Sequence, residues 1–562
     1  MKHFRNIFFI LLIASSFVVT GCGKKDVLPG EITAMLNDST GKVVRLGVYG
    51  DPLELNPVAH TNSEHGAMVG NFVHASPLRK LADGSFEPYL FDSYYLSRGE
   101  NGTVILEAVW KKGLKWHDGT EFDPRDLEFT ISAMKNPDLQ SPYADLAAGV
   151  LSVSSFGQGQ RTRILFARDS RQYLDLLCVG LLPAHLLKNA QPGEAAKDIA
   201  VTTPSGVSPA SYTWAWFAQN PTGLGPYCIK SRQSGSFVLL EPYKDFFDGS
   251  VASRPLVLVR SSYDYQQLIN DFRSGRYDWI NLPSMLAEQL ETMKLEGVKF
   301  VKYPNPAFML WLFNNRRPFL NDVRVRKALD LLVDRQQIRN QFSGDGEPLF
   351  VNPLASSSEP VAEHAIRVEM AGKLLDEANI KDLNNDGIRE VDGKAFEIGI
   401  LLNDDNLVRR VIAEKMLTDL RQAGIVARID AVSWADFVST RLRKAEYDTA
   451  LVSYQLPSAG NWVSFLHSAP VVLDNLNFAG VADTALDKDL EALDSMFYDE
   501  STVAARERVG AYLENQKPVA FLFKPFDVGL YPGTPGTAKA SCSIWNDVLN
   551  WKLLFGPADS SL

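Results

Sequence analysis

Two histidine-containing neighbourhoods are the first candidates for chemistry in this sequence. His117 precedes Asp118, and a histidine beside a carboxylate is a pairing that acid–base catalysis uses. However, Gly119 follows, and an Asp-Gly step is explained by a tight turn that has no catalytic role. His60 and His65 are metal-ligand types, but two histidines without a third ligand in reach do not make a zinc site, so we expect no metal there.

A third candidate is an acidic segment in which oxygen-bearing side chains alternate around a glycine. The sequence from Asp382 to Glu390 reads DLNNDGIRE, which is similar to the calcium loop of EF-hand proteins. The twelfth position of such a loop is Gly393 here, and it cannot supply the usual bidentate carboxylate. A bare turn is favoured over a calcium site, and the sequence alone leaves both open.

Recognisable catalytic motifs are absent from the sequence. It contains no H-E-x-x-H, G-x-S-x-G, P-loop or C-x-x-C, and its eight histidines form no cluster. We therefore expect a protein that is not an enzyme and that needs no cofactor. The 57 basic and 67 acidic residues give a net charge of −10, which argues against nucleic acid as a partner because that affinity depends on neutralising phosphates.

The N-terminus predicts export from the cell interior. Lys2 and Arg5 precede an apolar segment at 7–19, which is too short to span a bilayer and is typical of a signal peptide. We expect residues 1–21 to be removed. The remaining 541 residues are too many for one hydrophobic core, so we expect two or three lobes.

The apolar segment is followed by a cysteine in a lipoprotein-like context. The sequence Val-Thr-Gly precedes Cys22, and small residues before a cysteine resemble the lipobox of bacterial lipoproteins. We expect Cys22 to carry the lipid that anchors the chain to a membrane, and residues 22–41 to form a tether. Because Gly23 follows rather than Asp, the sequence leaves open whether that membrane is the inner or the outer one.

Three further cysteines lie in the body of the chain. Any two of them could pair in an oxidising compartment, which would leave one thiol over. Their apolar or small-residue surroundings favour buried free thiols. These cysteines are Cys178, Cys228 and Cys542.

The elements that would position a site are clearest between residues 307 and 335. The aromatic-rich run at 308–313 predicts a buried strand. Asn321 is the expected N-cap of the next helix, with Asp322 in its first turn, and apolar residues then recur at helical spacing. A further strand, helix and strand at 396–429 predict a mixed or parallel α/β sheet.

Three phrases carry a resemblance to a known family. They are NNRRPFLNDVRVRKALDLLVDR at 314–335, GLKWHDGTEFDPRDLEFT at 113–130 and GLGPY at 223–227. These sequence motifs resemble those of the family 5 extracellular solute-binding proteins, which are oligopeptide-, dipeptide- and nickel-type receptors of ABC importers. The resemblance extends over roughly residues 42–556.

The resemblance implies an α/β fold: a periplasmic-binding-protein-like (class II) clamshell of two lobes with an additional domain, three domains in all. The expected boundaries are residues 42–75, 222–305 and 520–562 for a discontinuous lobe I, residues 76–221 for the additional domain, and residues 306–519 for lobe II.

The resemblance also implies a function. We expect a monomer on the periplasmic side of a bacterial envelope, which captures a peptide or related small solute in a cleft between lobes. An ABC permease and ATPase would then take the ligand. A ligand sensor or surface adaptor that keeps the fold without transport is the alternative.

Ligand-facing positions follow from the same resemblance. Trp434 matches a frequent pocket wall, and Arg441 matches a position that can present a basic group to an anionic ligand end. The full expected set is His60, Thr61, Asn62, Ser63, Trp311, Trp434, Arg441, Tyr454, Gln455, Asn461 and Trp462.

One departure from the family pattern bears on the ligand. Peptide-binding members place an Asp shortly after the strand that ends near Tyr454, where it pairs with the ligand's α-ammonium, but Pro457 stands here. A buried ammonium without a counter-charge costs several kcal/mol. We therefore expect a cleft of more aromatic and amide character, built with Gln455, Asn461 and Trp462.

Overall fold

The computed structural model describes most of the chain. The described residues are 28–37, 42–50, 54–59, 64–81, 85–190, 212–249, 251, 254–283, 298–304, 307–341, 347–350, 352–354, 362–404, 406–455, 462–469, 476–497, 499–524 and 526–532. Within these ranges, no helix combines the length and the apolar character that crossing a membrane would need.

A seven-stranded mixed sheet is assembled from distant parts of the chain. In spatial order its strands are β12-β21-β11-β1-β10-β9-β8, and β1 runs parallel to both β10 and β11. Their bounds are β1 Val43–Tyr49, β8 Tyr227–Gln233, β9 Phe237–Pro242, β10 Leu256–Ser262, β11 Trp279–Pro283, β12 Val298–Pro304 and β21 Phe526–Pro532.

A four-stranded antiparallel sheet and a short hairpin lie between β1 and β8 in the chain. The four-stranded sheet has the order β4-β5-β7-β6, and its β5 alternates buried and half-buried residues as expected for a sheet with one face on a core. The bounds are β2 Leu78–Lys80, β3 Phe86–Pro88, β4 Phe91–Arg98, β5 Val104–Trp110, β6 Val150–Phe156 and β7 Arg161–Phe166.

A six-stranded mixed sheet follows, in the order β14-β20-β13-β19-β17-β18. A separate two-stranded hairpin, β15 and β16, precedes β17. The bounds are β13 Ala307–Phe313, β14 Glu347–Pro348, β15 Glu390–Val391, β16 Lys394–Ala395, β17 Glu397–Asn403, β18 Val426–Val432, β19 Thr449–Gln455 and β20 Val519–Lys524.

Helices connect these strands. Two single 3₁₀ turns lie at Glu100–Gly102 and Pro137–Leu139, and a π-helical segment lies at Asp436–Leu442. The α-helices are α1 Gly30–Leu36, α2 Glu64–Val73, α3 Arg125–Lys135, α4 Ala144–Ala148, α5 Gln172–Leu176, α6 Ala184–Leu187, α7 Trp214–Gln219, α8 Tyr265–Arg273, α9 Val323–Leu332, α10 Arg335–Gln341, α11 His364–Glu377, α12 Leu407–Gln422, α13 Trp462–Leu466, α14 Thr484–Leu493 and α15 Glu500–Gln516.

The hydrophobic cores define two bodies. The four-stranded sheet and one face of the seven-stranded sheet share a single buried cluster, which joins Leu106 and Ile164 to Leu46 and Val257, and we call these two sheets the first body. The six-stranded sheet, which we call the second body, has a separate apolar cluster on each face. Burial of apolar side chains therefore stabilises each body around its own sheet.

The chain crosses twice between the two bodies at neighbouring strands. It leaves β12 at Pro304 and enters β13 at Ala307, and it returns from β20 at Lys524 to β21 at Phe526. Because β12 pairs with β21 and β13 pairs with β20, the two crossings lie side by side. Strand β20 belongs to the second body, so the expected lobe boundary at 519/520 falls inside a strand, and the return crossing comes after Lys524.

Most predicted elements around 307–335 are confirmed, with one shift. Strand β13 and helix α9 form where the aromatic run and the helical spacing indicate. The N-cap is Asp322 rather than Asn321, because the Asp322 carboxylate accepts the hydrogen bond from the Arg324 backbone N–H at 2.8 Å. The predicted stop of α12 at Gly424 is also confirmed, since Gly424 has a φ of +80°.

Candidate functional site

The carboxyl ends of three parallel strands meet at one edge of the six-stranded sheet. Strands β17, β18 and β19 run in the same direction and end at Asn403, Val432 and Gln455. Gln455 pairs with Ala307, the first residue after the outgoing crossing. This carboxyl edge of the second body is therefore next to the first body.

The seven-stranded sheet presents the corresponding edge. Its parallel strands β1, β10 and β11 end at Tyr49, Ser262 and Pro283, and Pro283 pairs with Asp527 immediately after the return crossing. In open α/β sheets, ligands bind in the crevice outside the carboxyl ends of the strands. Both carboxyl edges adjoin the same pair of crossings, which makes the space beside them the candidate binding site.

Three of the expected ligand residues lie on one face of the six-stranded sheet. Tyr454 is opposite Phe308 in the strand pairing and stacks on Phe465, with ring centroids 4.9 Å apart. Trp462 belongs to the same apolar cluster but is only 1% exposed and packs against Phe465 and Phe521. Tyr454 is half-buried, so it is the accessible member of this pair, and Trp462 supports it from the core.

Trp434 joins the same face from the end of β18. It stacks on Phe437, which is part of that cluster, and it remains 54% exposed. The guanidinium of Arg409, on α12, lies 5.9 Å from the Trp434 ring centroid, so a cation already contacts one side of this indole. Arg409 was not predicted as a site residue. The sequence places it on a helix, but it does not show which face of that helix is turned toward Trp434.

Arg441 is partly engaged within the second body. Its Nε donates to the backbone oxygen of Glu446 at 2.6 Å, and its Nη2 lies 3.7 Å from Asp430 Oδ2. Arg441 is therefore held on the π-helical segment beside Trp434 with a carboxylate nearby. An anionic ligand end would have to compete with Asp430 for this cation.

Trp311 is a correction to the expected set. It is completely buried and packs on Phe313 at 4.8 Å in the cluster on the opposite face of the sheet from Tyr454. The reason is the position of β13 in the interior of the sheet, where successive side chains point to opposite buried faces. We therefore remove Trp311 from the ligand-facing residues.

Several expected site residues cannot be placed. The positions His60, Thr61, Asn62, Ser63 and Asn461 lie outside the described residues, as does the lipidation candidate Cys22. For Gln455, only the backbone is described, at the end of β19.

The histidine–aspartate pair of the sequence is separated by the fold. His117 Nδ1 accepts the Gly223 N–H at 3.2 Å, and its Nε2 lies 2.9 Å from the carbonyl oxygen of Gly225, to which the neutral ring donates. Burial lowers the pKa of His117 to about 4. Asp118 instead contacts His185 Nε2 at 2.7 Å. These contacts fasten the turn to the 223–225 segment, which is the structural role that the sequence favours.

The acidic turn forms as part of a hairpin. Oxygens of Asp382, Asp386 and Glu390 lie within 4.8 Å of one another. Two of these carboxylates each accept a backbone hydrogen bond: Gly387 N–H donates to Asp382 Oδ2 at 2.9 Å and Leu383 N–H donates to Glu390 Oε2 at 2.9 Å, while Asp382 Oδ1 is buried without a hydrogen-bond partner among the described residues. The strands β15 and β16 then pair, which agrees with the favoured interpretation of a turn.

Two of the three cysteines are described, and both are free thiols. Cys178 and Cys228 are partly buried, and burial raises the pKa of Cys228 to about 12. Thiols of this kind are poor nucleophiles. Cys542 lies outside the described residues.

Comparison with known proteins gives consistent results. Residues 110–468 match the model of the bacterial extracellular solute-binding proteins, family 5 Middle. The oligopeptide-binding protein AppA of Bacillus subtilis is 24% identical over 436 residues, which cover 76% of each chain.

Solved structures show the same fold. The structure of AppA from Bacillus subtilis in complex with a nonapeptide aligns with a TM-score of 0.68 and 22% identity, over 91% of this chain and 98% of that one. NikA from Brucella suis in complex with Fe(III)-EDTA aligns with a TM-score of 0.71 and 18% identity, over 90% and 99% of the two chains.

Proposed function

Because the chain belongs to family 5 of the bacterial extracellular solute-binding proteins, we propose that it captures a peptide or a related small solute between its two bodies and delivers it to the permease of an ABC importer. The family is one of binding proteins and not of enzymes. Its members pair with ABC transporters, so the partner class follows from membership, whereas the ligand and the delivery step are the proposal.

The observation that best supports the proposal is the position of two accessible aromatic residues, Tyr454 and Trp434. Tyr454 and Trp434 lie where β19 and β18 reach the carboxyl edge, next to the crossings to the first body. Aromatic walls with a few oriented polar groups are typical of small-molecule sites. Closure of one body on the other would then report occupancy by shifting a two-state population.

The chemistry of this edge favours a ligand with a weakly charged or blocked amino end. The sequence has Pro457 rather than an acid after β19, and Gln455 and Asn461 supply amides. In the described part of the second body, the acid near Arg441 is already paired with that cation. The ligands in the two similar structures, a nonapeptide and Fe(III)-EDTA, include both a peptide and a metal chelate.

Anchoring by a lipid to the periplasmic side of a membrane completes the proposal. Acylation of Cys22 after removal of residues 1–21 would hold the body near a permease, with residues 22–41 as the tether. Mass determination of the mature N-terminal fragment tests this step. An unmodified N-terminus that keeps residues 1–21 would contradict it.

Native mass spectrometry of protein purified from its own host is the direct test of ligand capture. A small molecule that is retained in native conditions and lost on unfolding supports capture and identifies the ligand. Calorimetric titration with free and N-acetylated pentapeptides follows. Tight binding of free peptides that is lost on acetylation would overturn the expected aromatic and amide character.

Trp434 provides a variant that separates binding from stability. We expect Trp434→Ala to weaken ligand affinity about tenfold, equivalent to about 1.4 kcal/mol, because an aromatic wall is lost. Tyr95→Ala is the matched control, since Tyr95 is an aromatic residue that is 70% exposed on the four-stranded sheet. Equal affinities for both variants would contradict the assignment of Trp434.

A further inference from the structure

A cluster of buried polar contacts joins the two bodies through segments other than the crossings. Residues 169–172, which follow β7 and end at the first residue of α5, meet residues 494–497, between α14 and α15, and we call this contact the 170/494 junction. The Ser170 hydroxyl donates to Asp494 Oδ2 at 2.5 Å, and the Gln172 amide donates to the same oxygen at 3.3 Å. Asp494 is almost fully buried, with 2% exposure.

The backbones on both sides take part in the junction. Arg171 N–H donates to the carbonyl oxygen of Asp494 at 2.5 Å, and Met496 N–H donates to Asp169 Oδ1 at 2.7 Å. Ser495 Oγ donates to the other Asp169 oxygen at 2.8 Å. These reciprocal contacts fix the relative position of two segments that are more than 300 residues apart in sequence.

Apolar contacts reinforce the polar ones. Met496, from the second body, is 6% exposed and belongs to the core cluster of the first body, and Phe497 packs against that cluster. The Arg98 guanidinium, on β4, lies 4.5 Å from the Phe497 ring centroid and 3.6 Å from Asp499. The turn 494–497 is thus seated in the surface of the first body.

A series of contacts links the junction to helix α13. Helix α13 begins at Trp462, directly after the 455–461 segment, and its end is tied to α14. Ser468 N–H donates to Asp487 at 2.9 Å, and His467 Nε2 lies 3.3 Å from Glu491. Asp494 caps the carboxyl end of that same α14. A displacement of α13 would therefore be passed to α14 and so to the 494 side of the junction.

We propose that the 170/494 junction is a latch that holds the two bodies in their closed arrangement and that must separate for the site to open. This inference rests on the proposed function, because a latch has a role only if the bodies close on a ligand. Burial raises the pKa of Asp494 well above its ordinary value even though Ser170, Arg168 and Gln172 favour its charged form. A carboxyl whose burial favours the protonated form is a suitable latch group, since it has no buried counter-charge that must be separated when the surfaces part.

The test compares variants without any ligand, by solution scattering and hydrogen exchange of the full mature chain. In Asp494→Ala we expect a larger radius of gyration and exchange about tenfold faster at the Arg171 and Met496 amides, because both lie in the junction. Asp494→Asn should behave like the native chain, since the amide keeps the acceptor oxygen. Arg508→Ala is the control, because it removes an exposed pair with Asp489 on the same α14–α15 unit.

The results of these measurements distinguish a latch from a fixed structural contact. Faster exchange at both amides with an unchanged radius of gyration would overturn the proposal, because the junction would then be a fixed structural contact. If Asp494→Ala fails to fold, Ser170→Ala carries the same test with a smaller expected change. The ligand plays no part in these measurements, so an expanded Asp494→Ala chain supports the latch even if pooled pentapeptides do not bind. Peptide binding with unchanged scattering would reject the latch and leave the proposed function standing.

Discussion

Buried ionisable groups are arranged differently in the second body and in the first. In the second body, Asp330 contacts the guanidinium of Arg335 and lies 3.3 Å from Lys517. Burial alone would raise the pKa of Asp330, but these two cations hold it below its ordinary value. In the first body, burial lowers the pKa of both His74 and His117 to about 4, so these rings are neutral at pH 7.

The junction between the bodies is closer to the arrangement in the first body, because burial raises the pKa of Asp494 well above its ordinary value. Asp494 forms no ion pair with any described residue, and its donors are the uncharged Ser170 and Gln172. Buried charges that pair with one another must remain in contact, because separating them leaves an unpaired buried charge and raises the free energy. The paired arrangement therefore suits the interior of one body, and the neutral arrangement suits a contact that must break.

The largest expected effect comes from breaking the paired cluster. Asp330→Ala leaves Arg335, which is 1% exposed, without its carboxylate, while Lys517 keeps Glu514 at 2.6 Å, and we expect a loss of about 3–5 kcal/mol in the free energy of unfolding. Urea denaturation followed by tryptophan fluorescence measures it. Asp489→Ala is the control, because its pair with Arg508 is solvent-exposed. Equal midpoints for the two variants would show that the paired charges contribute nothing.

Acid should destabilise the first body through its neutral histidines. The pKa of His117 is about 4 in the folded chain and about 6.5 in the unfolded one, so the unfolded state binds its proton first. The stabilisation is present above pH 6.5 and is lost as the pH falls from 6.5 to 4, by on the order of 2–3 kcal/mol. In His117→Gln, the unfolding free energy should depend less on pH in this window. Parallel pH profiles for the native chain and the variant would contradict this.

The smallest expected effect is at the junction. Asp494→Asn should change the unfolding free energy at pH 7 by less than about 1 kcal/mol, since the amide keeps an oxygen that can accept from Ser170 and Gln172. Asp494→Ala should cost about 1–3 kcal/mol, because the donors of Ser170 and Gln172 lose their partner. An Asn variant as unstable as the Ala variant would show that the acceptor oxygen is not what stabilises the junction, and the contrast between the bodies would fail.

Sequence reasoning was most successful where a motif reflects packing. The phrase at 314–335 predicts β13 and α9 because its apolar residues have strand and helix spacing. The structure also shows what two of its arginines do. Arg326 donates to the carbonyl oxygens of Leu320 and Gln516, and Arg335 donates to that of Phe521. The motif thus holds a core together and is a guide to the fold rather than to the ligand.

The remaining errors have physical causes. Asn321 and Asp322 are both good N-caps, and only the geometry of the Arg324 N–H selects the second. Trp311 lies in a strand that is buried on both faces, so its sequence has no alternation to reveal its direction. The 170/494 junction joins hydroxyl, amide and carboxyl groups that have no sequence signature at such separation.

The paired crossings at residues 305–306 and 525 restrict how the bodies can move. Two adjacent strands, each fixed by hydrogen bonds on either side of the gap, resist sliding and torsion but can flex together. We expect any relative motion of the two bodies to be a rotation about the line through the two crossings. Both crossings already contain a proline, Pro306 in the outgoing one and Pro525 in the returning one, and the fixed φ of proline limits the ways in which the chain can bend there.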